Sequence, residues 1–223
     1  MIAAAEQLLI ASSDNDIATR AVCEAVGVTQ PVLYRLFGDK RGLLDAVANL
    51  GFERYAARKA AQAATADPVA DLRAGWDGHV EFARQNPALY QLMFVPRPRS
   101  HSVARQRVFD LLVATLVRCA AVGALTIDPV AAAQLILSAN VGVALNRIAQ
   151  PELFDNATLS HRMREAVFAS VLGERAEPNP TEPLRAAALR LRAQLALTTP
   201  DTLHPQESAV LDLWLQRITG TDA

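Results

Sequence analysis

Apolar residues three and four positions apart recur along almost the whole chain, and the apolar–polar alternation of a half-buried strand is nearly absent. That periodicity restricts the polypeptide to helices that each bury one stripe, so the expected fold class is all-α. Leu8 and Leu9 among alanines predict a first helix ending at the turn-prone Ser12-Ser13-Asp14-Asn15. Short helices are expected over 17–26 and Gln30–Phe37. A long one then runs from an Asp39 cap to about residue 64, with Leu43, Leu44, Val47 and Leu50 facing inward. Pro68 opens the next helix and Asn86-Pro87 breaks it. Pro96 and Pro98 with nearby arginines predict a basic loop before a helix at 102–122. Asp128-Pro129 begins another helix, 151–156 is a loop, and a further helix is expected over 159–172. The prolines of 177–183 mark a linker before two more amphipathic segments. Leu184, Ala188, Leu191 and Leu195 form the stripe of the first, with Arg185 and Arg192 outside it; Leu211, Trp214, Leu215 and Ile218 form that of the second.

With 223 residues, 51% of them apolar, a substantial core can form. The formal net charge is -1, so no global basic field announces a polyanionic partner. Phosphates respond to charges within about 8–10 Å, and locally placed cations can therefore suffice. Cys23 and Cys119 lie in apolar stretches without pairing or metal-ligand spacing and read as small buried residues of a reducing compartment. Met1 leads into an amphipathic helix with no cleavage-site pattern, so a cytoplasmic chain is expected. The uncharged stretch 129–146 is about long enough to cross a bilayer. It carries Gln134, Ser138, Asn140 and Asn146 between Asp128 and Arg147, which favours a buried helix over a membrane span.

Residues 19–38, TRAVCEAVGVTQPVLYRLFG, carry the sharpest signal. Two short helices crossing steeply need a small residue at their contact, and Cys23 provides it. Four positions later Gly27 supplies tolerance of positive φ in the turn. Val22, Val26, Val28, Leu33 and Leu36 stand at offsets that seal the inner side. Thr29 can cap the second helix and Pro31 fits its first turn. The set describes a helix-turn-helix, whose second helix enters the major groove of double-stranded DNA. On that reading Gln30 pairs with an adenine edge and Val32 packs on a thymine methyl. Tyr34, Arg35 and Lys40 grip phosphates, Lys40 being near a helix start where amide dipoles add attraction. Arg20 opens the preceding helix and can reach a phosphate or a guanine.

The stretch AVGVTQPVLYRLFGDKRGLLDAV resembles the DNA-binding domain of the TetR family of transcriptional regulators: a Gly-Val turn, a Leu-Tyr pair, an aromatic closing the helix, then Lys and Leu-Leu. Thr19-Arg20 and Gln30-Pro31 are similar to family positions that touch operator DNA. Leu36 departs from the pattern, standing where the family usually has His, and the basic N-terminal arm of many members is not seen. More loosely, DLRAGWDGHVEFARQNPALYQLMF is similar to the C-terminal domains of one TetR subgroup. The resemblance implies a helix-turn-helix domain at 1–48, a helical effector-binding and dimerisation body at 49–176, and a helical extension at 177–223. It implies a homodimer that leaves a palindromic operator when a small apolar effector binds, usually as a repressor, with no cofactor. Trp76, His79, Tyr90, Met93, Phe94, Phe109 and Asn140 are then candidate effector contacts, and Ala131, Ala132, Ala139, Gly142 and Ala144 would permit close helix approach in the dimer.

A helical sensor that kept the fold without binding DNA is the alternative. Catalysis is not expected. His79, His101, His161 and His204 are scattered without metal-ligand spacing, no glycine loop cradles phosphate, and no nucleophile–base pair stands out.

Overall fold

A computed structural model describes residues 1–12, 16–95, 102–173, 183–198 and 203–219. The fold is all-α. The described helices are α1 (Ile2–Ala11), α2 (Thr19–Val26), α3 (Gln30–Phe37), α4 (Lys40–Ala60), α5 (Pro68–Gln85), α6 (Pro87–Phe94), α7 (Val103–Ala121), α8 (Pro129–Ala149), α9 (Leu159–Val171), α10 (Pro183–Leu197) and α11 (Pro205–Thr219). The Ser13–Asn15 turn, the Pro96/Pro98 loop and most of the 177–183 linker lie outside the described residues.

Several boundaries follow capping chemistry. The Asp67 carboxylate accepts from the amides of Val69 and Ala70, and Asp128 does the same for Val130 and Ala131. α2 begins at Thr19 rather than 17, because Asp16 Oδ1 takes the Ile17 amide (2.9 Å) and Ala18 is extended. α4 ends at Ala60, short of 64, since residues 61–67 are all exposed and offer no stripe to bury. On its inner side Leu43 and Val47 are buried, whereas Leu44 and Leu50 are only half-buried.

The chain divides into two compact units. The first comprises Met1–Ala63, His79–Phe109 and Ala144–Asp155. In it α4 packs against α1, α3 and α6, with Leu9, Leu33, Leu43 and Val47 buried. The α3–α4 corner is tight. Gly38 closes α3 at φ 78°, and a Cβ on Gly42 would stand 2.0 Å from the Phe37 carbonyl oxygen. Only glycine lets that helix start come so close to the end of α3.

Deeper in this unit His79 lies between two phenols: Nδ1 is 2.9 Å from the Tyr55 hydroxyl and Nε2 is 2.7 Å from that of Tyr90. A neutral ring has one N–H and one lone pair, so one tyrosine donates to it and the other accepts. Burial, helped by nearby Lys59 and Arg58, lowers the histidine pKa to about 3; burial also holds both phenols above their ordinary value, against the opposing pull of Arg58 on Tyr55.

The second unit comprises Ala64–Gly78, Asp110–Val143 and Asn156–Ala223. The Trp76 indole N–H donates to Ser160 Oγ (3.0 Å), and its ring meets Phe168 edge-on at 6.0 Å. Asn140 Nδ2 donates to the Trp76 carbonyl (3.3 Å), while its Oδ1 is buried without a hydrogen-bond partner among the described residues. α10 and α11 pack on each other, and only part of the expected stripe is used. Ala188, Leu189 and Ala193 are buried, whereas Leu184 and Leu191 are exposed. Arg192 sits on the packed side instead, 2.7 Å from Asp212 and 3.8 Å from Asp128, because those carboxylates meet it there. In α11 Leu215 is buried while Trp214 and Ile218 are exposed.

α8 is the one helix among the described residues long and apolar enough to cross a membrane by length and composition. Its Ala132, Ala133, Ile136, Asn140, Val143 and Ala144 are buried within the chain, as expected of a core helix.

Two measurements test this packing. Helix propensity alone would have Gly42→Ala gain up to about 1 kcal/mol. The clash with Phe37 reverses the sign, to a loss of about 2–3 kcal/mol in urea unfolding; a gain would mean the corner has room. The unfolded chain binds a proton on His79 below about pH 6.5 that the folded chain refuses down to about pH 3, so stability is lost as the pH is lowered through that window. From pH 7 to pH 5 this amounts to about 2 kcal/mol. His79→Gln is expected to flatten that dependence, and equal slopes in both proteins would assign it elsewhere.

Candidate nucleic-acid interface

The turn between α2 and α3 is built by one residue's handedness. Gly27 adopts φ 69° and ψ 32°, and a Cβ there would meet nothing within 4 Å. Glycine is needed for the left-handed conformation alone, which costs other residues about 1–2 kcal/mol. The Val28 amide reaches back to the Cys23 carbonyl (3.0 Å), completing a helix stop, and Cys23 is buried at the crossing as its size suggested. Thr29 occupies the N-cap of α3, but its side chain makes no capping bond. Pro31 sits in the first turn.

α3 spans eight residues, about 12 Å of helix. Leu33 is its one buried side chain and anchors it by about 2–3 kcal/mol of apolar burial. Thr29, Gln30, Pro31, Tyr34 and Arg35 are exposed and Val32 is half-buried, so the leading end and outer face of α3 are open to a groove. Leu36 was expected on the inner side and is instead 61% exposed. On a 100° helical step the position following Leu33 inward is Phe37, four residues on, which is half-buried; Leu36 falls to the other flank. Val22 is buried and Val26 and Val28 are half-buried, as the motif requires.

Beside this rod stand four cations, and three already face a carboxylate. Arg20 Nε is 2.8 Å from Glu24, Lys40 Nζ is 2.5 Å from Asp16, and Arg41 Nε is 4.0 Å from Asp45. The Lys40 ammonium and the Ile17 amide hold the Asp16 carboxyl below its ordinary range. Arg35 makes no ion pair among the described residues. Thr19 and Arg20 lie on α2, Thr29 at the N-cap of α3, Gln30, Pro31, Val32, Tyr34 and Arg35 on α3, and Lys40 at the start of α4. Sequence reading missed the carboxylates. Glu24 was legible as the i+4 partner of Arg20, but Asp16 and Lys40 are brought together only by the fold.

The candidate effector residues separate. His79, Tyr90, Met93, Phe94 and Phe109 belong to the first unit, Trp76 and Asn140 to the second. All are buried except Phe109, which is half-buried. Tyr90 stacks on Phe94 at 4.5 Å, and His79 meets Phe94 edge-on at 5.1 Å. Tyr55 and Phe168, which complete the two aromatic clusters, were not singled out, since an aromatic at helical spacing carries no sign of its polar neighbours.

Comparison with known proteins gives this geometry a family. A sequence model of bacterial regulatory proteins of the tetR family matches residues 1–47, and one of the tetracyclin repressor-like C-terminal domain matches residues 72–196. No curated protein matches the chain. A protein of unknown function from Rhodococcus sp. RHA1 is similar in structure, with TM-score 0.62 and 23% identity over 77% of this chain and 93% of that one. So is a protein described as a candidate tetR family transcription regulator from Shewanella sp. PV-4, with TM-score 0.58 and 16% identity over 78% and 96%. At these identities the structural likeness speaks for the fold, and the sequence models carry the assignment. The chain belongs to the tetR family of bacterial regulatory proteins, and is a DNA-binding transcriptional regulator rather than an enzyme.

Proposed function

We propose that the protein is a homodimeric, effector-responsive repressor that holds a palindromic operator through two copies of α3. The single observation that carries this is the exposure of Thr29, Gln30, Pro31, Tyr34 and Arg35 on a short helix anchored through Leu33. Gln30 and Val32 read base edges; Tyr34, Arg35, Lys40 and Arg20 grip phosphates; Thr19, Thr29 and Pro31 set the approach. The two helices enter successive major grooves roughly 34–36 Å apart.

The dimer face is assigned to α8 and α9. Ala132 and Ala144, expected there, are buried within the subunit. The opposite side of α8 presents Ala131, Leu135, Ala139 and Gly142 at i, i+4, i+8 and i+11. Leu135 is exposed, and a Cβ on Gly142 would meet nothing within 4 Å, which leaves room for a partner helix. Met163 on α9 is exposed as well.

A small, largely apolar effector favours a wider spacing of the two α3 helices and so releases DNA; a differential affinity of about 1–3 kcal/mol changes operator binding about 5- to 150-fold. The unpartnered Oδ1 of Asn140 supports an effector carrying a hydrogen-bond donor, since a buried acceptor left unmatched costs about 1–3 kcal/mol. The domain division stands as part of this reading: a DNA-binding domain at 1–48, a regulatory body at 49–176 and an extension at 177–223.

Arg35→Ala combined with Tyr34→Ala is expected to weaken binding to the gene's own upstream DNA by about tenfold or more. Unchanged affinity in a gel-shift titration would instead favour a sensor without DNA binding. With Arg20, Arg35, Lys40 and Arg41 each neutralising one phosphate, a dimer makes about eight contacts and the log–log salt slope is about -7; a flat response removes this account. Leu135→Arg with Gly142→Arg is expected to shift the protein from dimer to monomer in sedimentation at micromolar concentration, and a dimer that persists would place the interface elsewhere.

A further inference from the structure

The second unit contains a cavity of about 430 Å³ that neither the DNA-binding surface nor the candidate effector residues use. Val113 and Val117 of α7, Val130 of α8, and Leu189 and Ala193 of α10 give it apolar walls. α11 completes it through Asp212 and Ser208. Trp76 and Asn140 are not among its lining residues. α11, the wall carrying Asp212, lies beyond residues 72–196, the stretch that the C-terminal family model matches.

Its size selects among occupants. A helix with its side chains is about 10–12 Å across, too wide for two turns to fit in such a volume. The volume does fall in the roughly 300–1,000 Å³ range of small-molecule pockets. Its polar edge selects the charge. Arg192 Nε bonds Asp212 Oδ1 at 2.7 Å, and Arg192 Nη1 lies 3.8 Å from Asp128 Oδ2. Two carboxylates against one guanidinium leave one formal negative charge in excess, although Asp128 Oδ1 also accepts from the Val130 and Ala131 amides at the start of α8. An anionic ligand would have to displace Asp212 from Arg192, whereas a cation supplies the missing counter-charge with that pair intact. We propose that this cavity binds a small molecule with an apolar body and one positively charged group, an alkylamine in chemical class, its ammonium beside Asp212 and Asp128.

The test uses the full chain without DNA, so its result is independent of operator binding. n-Decylamine, n-decanol and n-decanoate are titrated calorimetrically at neutral pH, below the concentrations at which they form micelles. One amine per chain is expected, with the alcohol weaker and the carboxylate weakest. Asp212→Asn should weaken the amine about fivefold and leave the alcohol unchanged. That change also removes a tie between α10 and α11. Val117→Phe fills the cavity while keeping the tie, and should abolish binding of both amine and alcohol. The proposal is overturned if no amine binds, if decanoate binds as tightly as decylamine, or if amine binding survives Val117→Phe.

Discussion

The close approach of Gly42 to the Phe37 carbonyl fixes where the end of α3 can lie, and the DNA-facing surface depends on it. α3 is too short to hold its own orientation, because isolated helices of fewer than about 12–15 residues are marginal in water. It is fixed at both ends by backbone geometry: the left-handed turn at Gly27 before it, and the glycine corner with the Asp39 cap after it, where Asp39 Oδ1 accepts from the Gly42 amide at 2.7 Å. Between those ends Leu33 alone is buried. That economy frees the remaining side chains of α3 for contacts outside the subunit.

Most of the fold was legible because proline, aspartate and glycine act locally. Asp39, Pro68 and Pro129 mark helix starts through capping and fixed φ, and those starts stand where the sequence put them, whereas Pro87, read only as a break, also opens α6. The α2–α3 turn was readable for the same reason. The inward side of an eight-residue helix was harder to read. A helix of two turns samples its apolar stripe only twice, so Leu36 and Phe37 compete for one inward position and the corner decides between them. α10 misled differently. Its leucines at 184 and 191 imitate a stripe, but the packed side is chosen by Arg192 meeting Asp128 and Asp212, two carboxylates distant in sequence.

Polar groups inside the molecule follow one logic with different outcomes. The imidazole of His79 finds a hydrogen-bond partner at each nitrogen, so a polar group sits in an aromatic cluster at little cost and keeps its ring uncharged. Asn140 is satisfied on one side only. The first arrangement makes a rigid core; the second leaves a specific chemical demand inside an otherwise apolar helix.

The ion pairs of Lys40 with Asp16 and Arg20 with Glu24 bear on how such a protein moves over a genome. Attraction to arbitrary duplex is almost wholly electrostatic, and here much of it is cancelled at rest by carboxylates a few ångströms away. In the proposed binding mode, contacts with random sequence are correspondingly weakened, which favours short encounters over long one-dimensional slides. In that mode, a site whose base edges also satisfy the outer face of α3 is the one at which phosphates replace the acidic side chains.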